Sequence, residues 1–122
     1  LVGDVVVTEC DLLAGRRFPD SIGQGGYAVT THNPGGSFVA DPSYPRPQPP
    51  LYDIPYRALY SVNVPNLWMC GRCASMTHRA LGSMRVQSTC AVTGEAAGRA
   101  AAVCALRGWT PREYGRRTFM VK

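Results

Sequence analysis

Cys70 and Cys73 are separated by two residues, the spacing of a thiol redox pair or of half a zinc site. The zinc reading needs further ligands, and Cys90 and Cys104 are the downstream thiols. They lie fourteen residues apart on what reads as one helix, roughly 21 Å at about 1.5 Å per residue. Two thiolates so far apart cannot share a tetrahedral ion with Zn–S bonds of about 2.3 Å, so no metal site is expected. A redox pair remains open. Leu67-Trp68-Met69-Cys70, however, reads as a buried strand that would turn Cys70 inward, and buried thiols are the default reading. The five cysteines are an odd number in a chain with no visible signal peptide, which argues against a disulfide framework.

Gly23-x-Gly25-x-x-Ala28 satisfies a loose dinucleotide-binding pattern. That pattern needs a strand before it and a helix after it. Phe18-Pro19-Asp20-Ser21 does not read as a strand, nor Tyr27-Ala28-Val29-Thr30 as a helix, so Gly23–Gly26 is expected to be a flexible turn. A phosphate-binding fingerprint is therefore absent. A second anion site is suggested further on. Residues 72–83 form a stretch rich in Ser, Thr, His and Gly, and a long helix follows from about Ser83. The first N–H groups of a helix lack partners within it and carry partial positive charge. After a buried strand and a small-residue loop, they suit an anion or a carbonyl oxygen. An ordinary capped helix looks the same in sequence, and both readings stand.

Positioning these groups requires the following elements. Residues 4–8 read as a short strand, and Thr8 caps a short helix with Asp11 at its third position and Gly15 as its stop. Tyr27 to Thr31 alternates as a strand does. Asn33-Pro34-Gly35-Gly36 is a turn, and the proline-rich run 42–50 an extended surface loop. Ile54 to Tyr60 is ambiguous between strand and helical turn, and Val62 to Asn66 is a turn. Residues 84–107 read as one helix of roughly 36 Å, ended by Gly108. Thr110, Pro111 and Glu113 open a last short helix with a capping box. On the long helix Cys90, Gly94, Ala97, Gly98, Ala101 and Ala105 fall on one smooth face, fit for close approach to a sheet. Gly94-x-x-x-Gly98 also fits a membrane dimer motif, but Glu95 and Arg99 exclude it.

The chain has 122 residues, 45% of them apolar, enough for one domain and too hydrophobic for a disordered tail. No run approaches 18 apolar residues, so no membrane span is expected. With no signal peptide visible, a cytoplasmic location is expected. Residues 1–53 carry six acids against three Arg, whereas 54–122 carry ten basic residues against two acids. Within residues 54–122 the basic residues are dispersed singly apart from Arg116-Arg117, which does not make a nucleic-acid surface. An anionic cofactor suits the basic half better.

Several motifs occur together and in order: Asp53-Ile54-Pro55-Tyr56-Arg57-Ala58-Leu59, Asn66-Leu67-Trp68-Met69-Cys70-Gly71-Arg72, Thr77-His78-Arg79-Ala80-Leu81-Gly82-Ser83-Met84-Arg85-Val86, Thr89-Cys90 and Gly94-Glu95-Ala96-Ala97-Gly98. They resemble the C-terminal region of the FAD-dependent oxidoreductase family. Gly15 to Ile22 and Tyr27 to His32 resemble its substrate side, and the likeness covers residues 4–108. The resemblance implies an α/β fold: the C-terminal portion of a glutathione-reductase-like FAD-binding domain plus part of its substrate domain, incomplete as a lone chain. Residues 1–60 would be the substrate-side segment and 61–108 the closing strand, loop and long helix. Residues 109–122 would be a C-terminal extension.

The resemblance further implies FAD held by Gly71, Arg72, Ser75, Gly82, Ser83, Met84, Arg85 and Val86. The helix start would face the pyrimidine end of the flavin, where the reduced ring carries negative charge. His78 and Arg85 would bind an anionic or hydroxylated small-molecule substrate or move its proton. An imidazole with a pKa near ~6.5 and a guanidinium fork suit those tasks. His32, Tyr56 and Arg57 would stand on the substrate side. The hydride chemistry belongs to the flavin. A partner chain or segment would carry the N-terminal fingerprint that grips the phosphates, in a hetero-oligomer or processed assembly. The alternative is a non-catalytic binding or scaffold module that keeps the fold.

Overall fold

A computed structural model of the chain describes residues 1–32 and 46–119. The expected turn at 33–36 and the first part of the proline-rich loop lie outside the described residues. At the N-terminus, Thr8 Oγ1 accepts from the Asp11 N–H at 3.3 Å, and Asp11 Oδ2 accepts from the Thr8 N–H at 2.9 Å. This reciprocal pair is the capping box that the sequence called for, and it starts helix α1 (Glu9–Leu13). Gly15 turns the chain with φ of 58°. Residues 4–8 do not form the expected strand: they contribute a single parallel bridge, Val7 to Met76.

The strands fall elsewhere than expected. Strand β1 (Ser21–Gly25) occupies the supposed glycine turn and pairs antiparallel with β2 (Tyr52–Pro55). The glycines have a packing reason: a Cβ on Gly25 would sit 2.5 Å from the Tyr52 ring, which closes over the strand there. The Tyr27–Thr31 segment is extended but not a strand. Its N–H groups find scattered partners, Val29 on the Pro47 carbonyl and Thr30 on the Gly82 carbonyl. Pro47 has no N–H to return, so no ladder can grow there. The ambiguous stretch from Ile54 to Tyr60 is both things in turn, the end of β2 and then a 3-10 turn at Tyr56–Ala58. Leu67–Cys70 is not a full strand either. It makes one antiparallel bridge, Trp68 to Tyr60, with Met69 donating to the Leu59 carbonyl.

The helix expected over 84–107 is two helices. Helix α2 (His78–Met84) is capped by Thr77, whose Oγ1 accepts from the Ala80 N–H, and α3 (Gln87–Arg107) starts afresh after an extended Val86. Helix α2 buries Ala80, Gly82, Ser83 and Met84 against one core, whereas α3 packs on β1 and the turn at Gly71. One straight rod cannot meet both surfaces. Gly108, with φ of 67°, ends α3 as expected. Helix α4 (Pro111–Phe119) opens on the Thr110–Glu113 capping box and continues to Phe119.

Two apolar clusters hold these elements. One joins Val7, Leu12, Val29, Tyr52, Ile54, Ala80 and Met84. The other joins Tyr56, Leu59, Tyr60, Ala74 and Ala100, with Tyr114 and Phe119 against it. The result is a mixed helix-and-strand unit. Its buried α3 positions are Thr89, Thr93, Ala97, Ala100 and Cys104. The expected smooth face is therefore not the one that meets the sheet. A Cβ on Gly94 or Gly98 would meet nothing within 4 Å among the described residues. No helix among the described residues is long and apolar enough to cross a membrane.

Candidate functional site

The break between α2 and α3 is where the polar candidates gather. His78, Leu81, Gly82 and Arg85 follow at helical spacing along α2 and its end, on one face. Arg72 arrives from the turn Gly71–Cys73, and His32 from the extended segment that crosses α2. They line a cleft of about 160 Å³ together with Thr30 and Thr31. The crossing is close because Gly82 has no side chain: a Cβ there would stand 2.9 Å from the Thr30 carbonyl oxygen. Arg85 Nη2 donates to that same carbonyl at 3.3 Å and lies 2.7 Å from His32 Nε2. A guanidinium only donates, so His32 Nε2 accepts with its lone pair in this arrangement. Ion pairs occupy Arg16, Arg17, Arg57, Arg79, Arg99 and Arg112. Among the described residues Arg72 and Arg85 have no carboxylate partner. A small cleft with two unneutralised guanidinium groups and two imidazoles is suited to an anion.

Immediately after Arg85 comes the start of α3. Val86 is extended and makes no side-chain cap, so the first N–H groups of a 21-residue helix find no capping partner among the described residues. A second cleft, of about 330 Å³, lies against this helix start. Gly25, Gly26 and Tyr27 form one side, and Val86, Ser88, Thr89 and Val92 the other. Glycine backbone on one wall and small side chains on the other leave room for a flat ring. Uncapped N–H groups would meet an electron-rich carbonyl edge. These residues fit the isoalloxazine of a flavin. The helix start thus lies later than the expected Ser83.

Some expected contacts are taken inside the chain. Ser83 is buried, 2.7 Å from the Tyr52 hydroxyl, and donates to the Tyr27 carbonyl. Met84 is enclosed in the core. Ser75 is buried beside Gly3, and its Oγ has no hydrogen-bond partner among the described residues. These three support the loop from within. Gly71 needs its φ of 57°, and its N–H donates to Thr93 Oγ1 at 2.9 Å.

Tyr56 and Arg57 are not brought to the cleft. Tyr56 is buried among Tyr60, Tyr114 and Phe119, and its hydroxyl donates to the Pro111 carbonyl. Burial pushes its phenol well above the ordinary range. Arg57 is bound by the carboxylate of Asp20, which accepts from its Nε, Nη2 and backbone N–H. That hydrogen-bonded pairing raises the pKa of Arg57 still further. Sequence reasoning missed Thr30, Thr31 and Leu81 in the first cleft and Gln24 to Tyr27, Ser88 and Thr89 in the second. The signal for Leu81 was present, since Thr77 caps a helix that places residues 78, 81, 82 and 85 in line.

The chain matches the family model described as FAD dependent oxidoreductase over residues 1–119. No curated protein matches it, and no solved structure does. The motifs around Gly71, His78 and Arg85 stand within the matched span, at the two clefts, and the chain belongs to the FAD dependent oxidoreductase family.

Proposed function

We propose that the chain forms the flavin-facing and substrate-binding end of an FAD-dependent oxidoreductase with a glutathione-reductase-like fold. The observation that carries this is the meeting of two clefts at consecutive residues: Arg85 belongs to the cationic one and Val86 to the one at the α3 start. FAD, when bound, supplies the two-electron chemistry. The uncapped N–H groups after Val86 would hold the pyrimidine edge of its ring, with Gly25 and Gly26 opposite. Gly71, Arg72 and Gly82 shape the approach. Arg85 and Arg72 would bind the anionic or hydroxylated end of a small-molecule substrate, and His78, exposed at the mouth, would move its proton. His32 fixes the fork of Arg85.

The glycine pattern of dinucleotide type, Gly23 to Ala28, begins in β1, which pairs with β2, and no helix follows it among the described residues up to His32. The phosphate-gripping fingerprint would therefore come from another segment or chain, seated on the open Gly94 and Gly98 face of α3. The test is spectroscopic. The native assembly should absorb near roughly 450 nm and release FAD on denaturation. An assembly without flavin would leave the non-catalytic scaffold reading. His78→Ala should retain FAD but slow flavin reduction by roughly 100-fold or more, and an unaltered rate would make His78 structural.

A further inference from the structure

We propose that Cys70 and Cys73 are a reversible dithiol, closing a disulfide by exchange with a small-molecule disulfide of the glutathione type. The sequence pattern would bury Cys70 in a sheet, but both thiols are free and exposed. They are the first and last residues of one tight turn, in which the Cys73 N–H donates to the Cys70 carbonyl at 3.1 Å. A turn so closed brings its end Cα atoms within about 7 Å, and a disulfide spans roughly 4.4–6.8 Å between Cα atoms. The turn is held from outside itself. Gly71 supplies the left-handed conformation, with φ of 57°, and its N–H is anchored on Thr93 of α3. Closing the bond would therefore require no unfolding of the neighbouring helices. The other thiols are placed differently. Cys90 is half-buried and turned to the Arg85 carbonyl at 3.4 Å, Cys104 is buried, and Cys10 is exposed but stands in α1, away from the turn.

The exchange balances. One cysteine thiolate attacks a sulfur of the small disulfide, forming a mixed disulfide and expelling one small thiolate. The second cysteine thiolate attacks the protein sulfur of that mixed bond, forming Cys70–Cys73 and expelling the second small thiolate. The two protons of the cysteine thiols end on the two small thiols. The protein loses two electrons and the small disulfide gains them. The ring so formed encloses Gly71 and Arg72, so the bond sits beside the cationic cleft.

The experiment equilibrates the folded native protein in buffers of reduced and oxidised glutathione, quenches with acid, alkylates, and reads each cysteine by mass spectrometry. Cys70 and Cys73 should lose alkylation together at one midpoint, without retained glutathione, while the buried Cys104 stays reactive after unfolding and the exposed Cys10 carries at most a separate glutathione adduct. Cys70→Ser and Cys73→Ser, isosteric changes at exposed positions, should each leave one stable glutathione adduct on the remaining thiol. Cys90→Ser should leave the midpoint unmoved. Independent adducts on both thiols of the unaltered protein, a bond to Cys90, or no reaction would each overturn the proposal.

Discussion

Arg85 Nη2 lies 2.7 Å from His32 Nε2, across 53 residues of sequence. The same nitrogen reaches the Thr30 carbonyl at 3.3 Å, so one fork holds the crossing segment to the end of α2. An arginine committed to a carbonyl and an imidazole keeps its full charge, because neither partner is an anion. That leaves the charge available to a ligand.

Arg85→Lys should therefore be far from neutral. Lysine keeps the charge but not the fixed fork of donors. The loss of a charge-assisted hydrogen bond, about 1.5–3 kcal/mol, corresponds to roughly a 10- to 100-fold fall in kcat/KM for an anionic substrate. Steady-state kinetics at fixed ionic strength would measure it. His32→Ala should produce a smaller fall, mainly in KM, since it loosens the fork without removing it. An Arg85→Lys enzyme with unchanged kcat/KM would mean that the cleft does not take the substrate.

Ser83 offers a sharp division between a supporting and a contacting role. Its hydroxyl is shared between Tyr52, in a buried contact, and the carbonyl of the exposed Tyr27. Ser83→Ala should lower stability by about 1–3 kcal/mol, the usual consequence of unpairing a buried hydroxyl. Tyr52→Phe should do the same, and the double variant should be less destabilised than the two losses combined. Denaturant unfolding of the four proteins gives the coupling. Additive losses would show that the two hydroxyls do not act on each other.

These residues also show what the sequence could and could not reveal. Caps are local: Thr8 with Asp11, and Thr110 with Glu113, need only three residues of separation and were legible. Gly108 was legible for the same reason. The break at Arg85–Val86 was not, because neither proline nor glycine marks it in Met84-Arg85-Val86-Gln87 and only packing against distant Thr30 and β1 forces it. Strand β1 was hidden by glycines, of which Gly25 admits the ring of Tyr52 and Gly23 the side chain of Val92, both residues far along the chain. The cleft was half legible. His78 and Arg85 stand in a recognisable motif, whereas the arrival of His32 depends on a glycine crossing. Tyr56 and Arg57 carried suitable chemistry in sequence, but the core and Asp20 claim them.

Asp20 should be among the most sensitive polar positions. It is 1% exposed and accepts three hydrogen bonds from Arg57. Asp20→Ala leaves a half-buried guanidinium and an unpaired backbone N–H, and should destabilise the protein by about 3–5 kcal/mol. Asp20→Asn should fall between. Thermal unfolding would rank them, and equal stability of all three would refute the pairing.

Acid should loosen the join between the N-terminal segment and α4. Arg112 donates to both carboxylate oxygens of Asp4, and this lowers the Asp4 pKa despite partial desolvation, with Tyr60 adding a further hydrogen bond. A carboxylate whose folded pKa is depressed contributes stability above its unfolded pKa, near ~3.9. That contribution is lost as pH falls through the lower folded value. Asp4→Asn should therefore have a slightly lower Tm than the parent at pH 6, and the two should converge only as pH falls below the depressed folded pKa of Asp4. A difference that persisted unchanged into acid would assign the effect to packing.

The open face of α3 makes the last prediction, which separates the helix itself from what covers it. A Cβ on Gly94 or Gly98 would meet nothing within 4 Å among the described residues. If the face stayed open, Gly98→Ala would be stabilising by about 0.5–1 kcal/mol, because alanine is the better helix former. Gly98→Leu would be tolerated as well. If a fingerprint-bearing segment seats there, a leucine should push it off and FAD retention should fall, while the circular dichroism of the helices is unchanged. Alanine, with one methyl group, should show a partial loss. Measuring flavin content and helicity on the same three proteins distinguishes the cases. Full retention of FAD in Gly98→Leu would place the phosphate-gripping segment elsewhere on the molecule.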